Sequence, residues 1–143
     1  MLVKNWMSKE VITVDSGDSM QNAIYILQEQ NIKMLPVMDD GNLVGIITDR
    51  DLKKASPSDA TTLDMHELLF LISKIKVRDL MKKPVHTVRL DHTIEEATAL
   101  LLEKKISGVP VLDENNRLVG IITRSDIFRM FISLRGLGEK GIQ

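Results

Sequence analysis

Two stretches of this sequence bring a hydroxyl, a guanidinium and a carboxylate together at repeated spacing: Gly45-Ile46-Ile47-Thr48-Asp49-Arg50-Asp51 and Gly120-Ile121-Ile122-Thr123-Arg124-Ser125-Asp126. An apolar run ending in Thr-x-x-Asp reads as a strand passing directly into a helix. Two chemistries fit such a corner. In the first, Thr and Asp close a capping box over the opening helical N–H groups, and no ligand is involved. In the second, unpaired N–H groups and the helix dipole favour a phosphate, Thr48 and Thr123 donate to its oxygens, and Arg50 and Arg124 neutralise it. Asp51 and Asp126 would repel phosphate, but a carboxylate suits two vicinal hydroxyls, as on a ribose. Thr for phosphate and Asp for ribose specify a nucleotide. Ile12, Leu35 and Ile47 in one stretch, and Val109 and Ile122 in the other, are then the expected apolar wall for its base.

The elements that position these corners occur twice. Val3-Lys-Asn-Trp-Met7 with Val11-Ile-Thr13-Val14 returns as Val77-Arg-Asp-Leu-Met81 with Val85-His-Thr87-Val88, and Leu43-Val-Gly-Ile-Ile-Thr48 returns letter for letter as Leu118-Val-Gly-Ile-Ile-Thr123. The spacing grows by one residue near Asn115. Such self-similarity governs the fold. Thr13-Val14 and Thr87-Val88 end short strands. Ser19 and Thr93 are N-caps of helices whose core-facing stripes (Met20, Ala23, Ile24, Leu27, matched by Ile94, Ala97, Thr98, Leu101) recur at helical spacing, and Glu96 completes a capping box. Leu35–Met38 and Leu43–Ile47, separated by Asp39-Asp-Gly-Asn42, predict an antiparallel hairpin. Val109–Leu112 and Leu118–Ile122 repeat it. The fold class is therefore α/β (α+β), with two β-α-β-β-α repeats at 1–55 and 77–135. One copy alone would be marginal, so the copies are expected to pack with pseudo-two-fold symmetry around shared clefts, where a ligand would be sought.

The stretch at 56–76 is predicted as a linker with a short amphipathic helix. Ser56-Pro57-Ser58-Asp59 reads as a turn, Thr61, Thr62 or Asp64 as caps, and Met65, Leu68, Leu69 and Ile72 as a stripe for core or subunit contact. Composition narrows the function. The 143 residues are 43% hydrophobic and contain no Cys, which rules out a disulfide scaffold, a thiolate metal site and a cysteine nucleophile. Charges nearly cancel, at 19 Lys+Arg against 20 Asp+Glu, leaving no basic field to hold nucleic acid. No apolar run is long enough for a membrane span. His66-Glu67 lacks the second His of a zinc motif, because Phe70 stands there, and no nucleophile–base pair is legible. A soluble, cytoplasmic protein is expected. Eight Met and many Leu and Ile in so short a chain predict leftover apolar helix faces and hence a homodimer.

The repeated Met7/Met81 leading segments, the Thr13/Thr87 strands, Pro36-Val37 and Pro110-Val111, and the two G-I-I-T-x-x-D signatures resemble a tandem pair of cystathionine-β-synthase (CBS) domains, a Bateman module. The resemblance runs from Val3 to about Phe131. Thr48-Asp-Arg-Asp51 followed by Ala55-Ser-Pro-Ser58 is similar to the AcuB-type acetoin-utilisation proteins. There an ACT domain commonly follows, so Gly136–Gln143 would approach a domain the chain does not include, implying a truncated chain or a shortened relative. The family resemblance implies regulatory binding of an adenine nucleotide (AMP, ADP or ATP) between the repeats, with no required cofactor and with an effector protein or fused domain as the output. By motif match, Asp51 and Asp126 would hold ribose hydroxyls, while Thr48, Thr123, Arg50 and Arg124 would meet phosphates. Thr13 and Thr87, with the backbone at Lys33, Met34 and Leu35 and at Ser107, Gly108 and Val109, would border the base. Because Lys33-Met34 is bulkier than Ser107-Gly108, the two sites need not be equally filled. Family members also bind S-adenosyl compounds or nothing. A non-catalytic sensor is the leading reading, a structural or dimerisation module the second, and an enzyme the third.

Overall fold

The computed structural model describes residues 1–55 and 64–136. It is a mixed α+β fold with two three-stranded sheets. The first sheet contains β1 (Val14–Asp15), β2 (Met34–Asp39) and β3 (Asn42–Thr48), with α1 (Met20–Gln30) between β1 and β2, and α2 (Asp49–Ala55) following β3 directly. β1 is parallel to β2 at Val14↔Val37, and β2 is antiparallel to β3 from Asp39↔Asn42 to Met34↔Thr48. Asp40 and Gly41 form the two-residue hairpin loop with φ of 50° and 80°, the left-handed pair that a primed turn requires. After α3 (Met65–Lys74) and α4 (Val77–Leu80), the pattern recurs as β4 (Val88–Arg89), α5 (Ile94–Lys104), β5 (Gly108–Leu112), β6 (Leu118–Thr123) and α6 (Arg124–Leu134). Val88↔Val111 and Gly108↔Thr123 are its matching register points. The predicted β-α-β-β-α order is present in both copies.

Caps start the helices where the sequence places them. Ser19 Oγ accepts from Asn22 N–H at 3.0 Å, and Thr93 Oγ1 accepts from Glu96 N–H at 3.1 Å. Asp64, one of the predicted caps of the linker helix, accepts from Glu67 N–H at 2.8 Å. The other predicted caps, Thr61 and Thr62, and the turn at Ser56–Asp59 lie outside the described residues, as does the tail beyond Gly136.

The chain divides into two compact units: Ile12–Val85, and Met1–Val11 together with the chain from His86 onward. Each has its own core. Val14, Met20, Ala23, Leu27, Leu35, Val37, Ile47, Leu52 and Val77 are buried together in one, and Val3, Val88, Ile94, Ala97, Leu101, Val109, Val111, Ile122 and Met130 in the other. These units cut across the sequence repeats. The leading segment of the first repeat packs with the sheet of the second, where Ser8 and Ile121 exchange backbone hydrogen bonds at 2.9 and 3.0 Å. The leading segment of the second packs with the sheet of the first, through Lys82 and Ile46 at 2.8 and 3.2 Å. Gly45 and Gly120 make these approaches sterically feasible. A Cβ at Gly45 would lie 2.5 Å from Met81 Sδ, and one at Gly120 would lie 2.4 Å from Met7 Sδ.

Candidate functional site

In each unit the β-hairpin brings the predicted residues to one corner. Met34 is registered with Thr48, and the Asp49 N–H donates to the Lys33 carbonyl at 3.0 Å. Gly108 is registered with Thr123 in the same way, and the Arg124 N–H donates to the Ser107 carbonyl at 3.0 Å. Lys33–Leu35 with Thr48–Asp51, and Ser107–Val109 with Thr123–Asp126, are thus two equivalent constellations. Thr13 and Thr87 are half-buried and immediately precede β1 and β4, across the middle strand from β3 and β6. Arg50 and Arg124 are exposed, and Arg124 Nη2 donates to the Ile106 carbonyl at 3.4 Å.

Both Thr-x-x-Asp signatures form reciprocal caps. Asp51 Oδ2 accepts from Thr48 N–H at 3.0 Å and from Thr48 Oγ1 at 2.9 Å, while Thr48 Oγ1 accepts from Asp51 N–H at 3.2 Å. Asp126 Oδ2 accepts from Thr123 N–H and Oγ1 at 2.9 and 3.0 Å, and Asp126 N–H donates back at 3.3 Å. The capping chemistry proposed from sequence is therefore present in full. It uses only one oxygen of each carboxylate. The second oxygen, Oδ1, turns to other groups: Asp51 Oδ1 faces Lys82 Nζ at 3.3 Å, while Asp126 Oδ1 accepts from Arg129 Nη2 at 2.8 Å and from Ser8 Oγ at 3.4 Å.

One expectation is corrected. Leu35, Ile47, Val109 and Ile122 are completely buried in the cores of their units. Their side chains fill those cores and do not form a wall for a base, because a residue facing inward from a half-buried sheet has no surface to offer. Of the proposed wall only Ile12 is partly exposed. Sequence reading misses Ser8 and Arg129, and it places Lys82, with Lys4, Lys9 and Lys83, on a solvated surface, with a local phosphate or nucleic-acid contact as the minor alternative. The signal was present: Ser8 and Lys82 each follow the repeated Met, but their sheet partners lie far away along the chain.

The family model for the CBS domain matches residues 3–58 and 77–133. This chain belongs to the CBS-domain family. Its two matches make it a tandem CBS module, and solved CBS pairs share its fold. It is 36% identical to the CBS domain pair of protein MJ0100, solved with 5′-methylthioadenosine and S-adenosyl-L-methionine; that match has a TM-score of 0.77 and covers 94% of this chain and 98% of the other. CBSX2, known from Arabidopsis thaliana and solved with AMP, is 34% identical with a TM-score of 0.76, covering 94% and 98%. A Vibrio cholerae protein assigned to acetoin utilization (AcuB) is 25% identical with a TM-score of 0.78, covering 100% and 98%. Among curated relatives, a CBS domain-containing protein of Dictyostelium discoideum is 37% identical over 94% of this chain and 93% of its own length. The CBS module also matches 23% of the length of an L-aspartate semialdehyde sulfurtransferase from Methanocaldococcus jannaschii at 37% identity, so in that protein the likeness is confined to one part. Among the described residues no helix is long and apolar enough to cross a membrane. No group of three or more His, Asp or Glu there could hold a metal ion.

Proposed function

We propose that this CBS pair is a non-catalytic, cytoplasmic regulatory module that binds an adenine nucleotide (AMP, ADP or ATP) at its two Thr-x-x-Asp corners. Binding shifts the population of conformations seen by an effector. The observation that carries the reading is the division of labour within each carboxylate. Oδ2 of Asp51 and of Asp126 is fixed by Thr48 or Thr123, and Oδ1 stays outside the cap, meeting only side chains (Lys82 at Asp51; Arg129 and Ser8 at Asp126) that ribose hydroxyls would displace. Thr48, Thr123, Arg50 and Arg124 are assigned to phosphate. Thr13, Lys33 and Met34, and Thr87, Ser107 and Gly108, border the base, chiefly through backbone, while the fully buried Leu35 and Val109 belong to the cores behind them. The AMP complex of CBSX2 and the adenosyl complexes of protein MJ0100 support this ligand class.

Thermal unfolding with AMP, ADP, ATP, S-adenosylmethionine and NAD tests it. A true ligand at 100 times its Kd adds about 2.7 kcal/mol, and each kcal/mol raises the melting temperature by roughly 3 °C in a chain of this size. Asp51→Ala with Asp126→Ala should abolish that rise. A panel without any rise would overturn the proposal.

A second reading, a structural or dimerisation module, is favoured by the caps together with the Oδ1 contacts, which engage both oxygens of each carboxylate without a ligand. It predicts equal melting temperatures with and without nucleotide. Under either reading we infer a homodimer. Phe128, Phe131, Ile132 and Leu134 on α6, and Met65, Leu69 and Phe70 on α3, expose large apolar side chains that a second copy would cover. Light scattering at tens of micromolar giving a monomer mass would refute the dimer.

A further inference from the structure

The two corners share a backbone but differ in charge. Three cations around Asp51 stand where three serines stand around Asp126: Lys33 against Ser107, Arg50 against Ser125, and Lys82 against Ser8. Lys33 and Ser107 hold the same place, each accepting with its carbonyl from the first N–H of the following helix. Lys82 and Ser8 also hold the same place, each bonding to the middle of the third strand (Ile46 or Ile121) and each reaching Oδ1 of the corner carboxylate. One position runs the other way, Asp49 against Arg124, and one is cationic in both copies, Lys54 against Arg129; three of these four residues are engaged locally. Asp49 pairs with Lys53 at 3.9 Å, Arg124 turns to the Ile106 carbonyl, and Arg129 is bound to Asp126 at 2.8 Å.

Lys82 is held less firmly than Arg129. Its single contact with Asp51 is 3.3 Å long and the side chain is 62% exposed, conditions under which an ion pair contributes little. A ribose hydroxyl donating to Asp51 Oδ1 would replace that contact. The ammonium, on a flexible four-carbon stem, would then be free to meet a phosphate joined to the same ribose. Ser8 cannot supply this charge.

Resting on the nucleotide reading above, we propose that Lys82, in addition to Arg50, makes the Asp51 corner select adenosyl ligands by the number of phosphates they carry more steeply than the Asp126 corner, where Ser8 stands in the place of Lys82 and Arg124 is the residue assigned to phosphate. Calorimetric titration of the full chain with adenosine, AMP and ATP in metal-free buffer tests this, with Asp51→Ala assigning the sites. Lys82→Ser should weaken ATP at the Asp51 corner about tenfold, the size of one charge-assisted contact, and leave adenosine within about twofold. Ser8→Lys should strengthen ATP at the Asp126 corner and steepen its salt dependence. Equal weakening of adenosine and ATP by Lys82→Ser would make Lys82 only a positioning partner of Asp51, and no change in either would make it a surface charge; both results overturn the proposal while leaving nucleotide binding intact. Failure of the unaltered chain to bind any of the three ligands would instead overturn the nucleotide reading and this inference with it.

Discussion

Asp51 and Asp126 occupy the same position in two copies of one motif, yet their surroundings differ. Asp126 is only 5% exposed and is held through Oδ1 by Arg129 and Ser8 in addition to its cap. Asp51 has the same cap but faces a single, solvent-exposed ammonium. A duplicated signature can thus keep its local backbone role while its outward chemistry diverges. The cap depends on residues three apart, whereas the second carboxylate oxygen depends on whatever the leading segment and the following helix bring to it.

The sharpest control on this comparison is the core beneath each corner. Ile47 and Ile122 are equivalent and fully buried. Ile47→Ala and Ile122→Ala should each cost about 2 to 5 kcal/mol, and similar losses in chemical denaturation would show that the units differ at the corner and not in the sheet. Gly45→Ala and Gly120→Ala come next. Each new methyl would meet the Met81 or Met7 side chain and push away the leading segment, at about 1 to 3 kcal/mol. The Gly120 variant should also loosen Ser8 from Asp126, read as faster amide exchange at Ser8 and Ile121.

The carboxylates should separate the units. Asp126→Ala should cost about 2 kcal/mol, since it loses the cap and, beyond what Asp51 has, the Oδ1 hydrogen bonds from Arg129 and Ser8. Asp51→Ala should cost about 1 kcal/mol, in keeping with the weaker set of contacts around it. An Asp51 variant as damaging as the Asp126 variant would remove the contrast. The smallest effect is expected from Lys82→Ala without ligand. Its exposed pair should contribute less than about 1 kcal/mol, and that contribution should vanish in high salt.

Much of the architecture was legible from residue order. The repeated strand–helix–hairpin pattern, the Ser19, Asp64 and Thr93 caps, the Asp40-Gly41 turn and both Thr-x-x-Asp corners are short-range features, and each follows from residues within a few positions of one another. The base wall was misjudged for a related reason. Period-two alternation says that Leu35 and Ile47 share a face, but not whether that face meets a core or an opening.

By itself, then, the sequence determined that the chain is duplicated, what each copy would build, and that two Thr–Asp pairs would stand at strand-to-helix corners. Only the tertiary structure decided that each leading segment joins the sheet of the other repeat, and with it that Lys82 reaches Asp51 while Ser8 reaches Asp126. Periodicity and capping are set by neighbours along the chain. The exchange of segments is set by which sheet edge and which glycine-opened surface can bury Met7 and Met81, and that selection involves residues far apart in sequence.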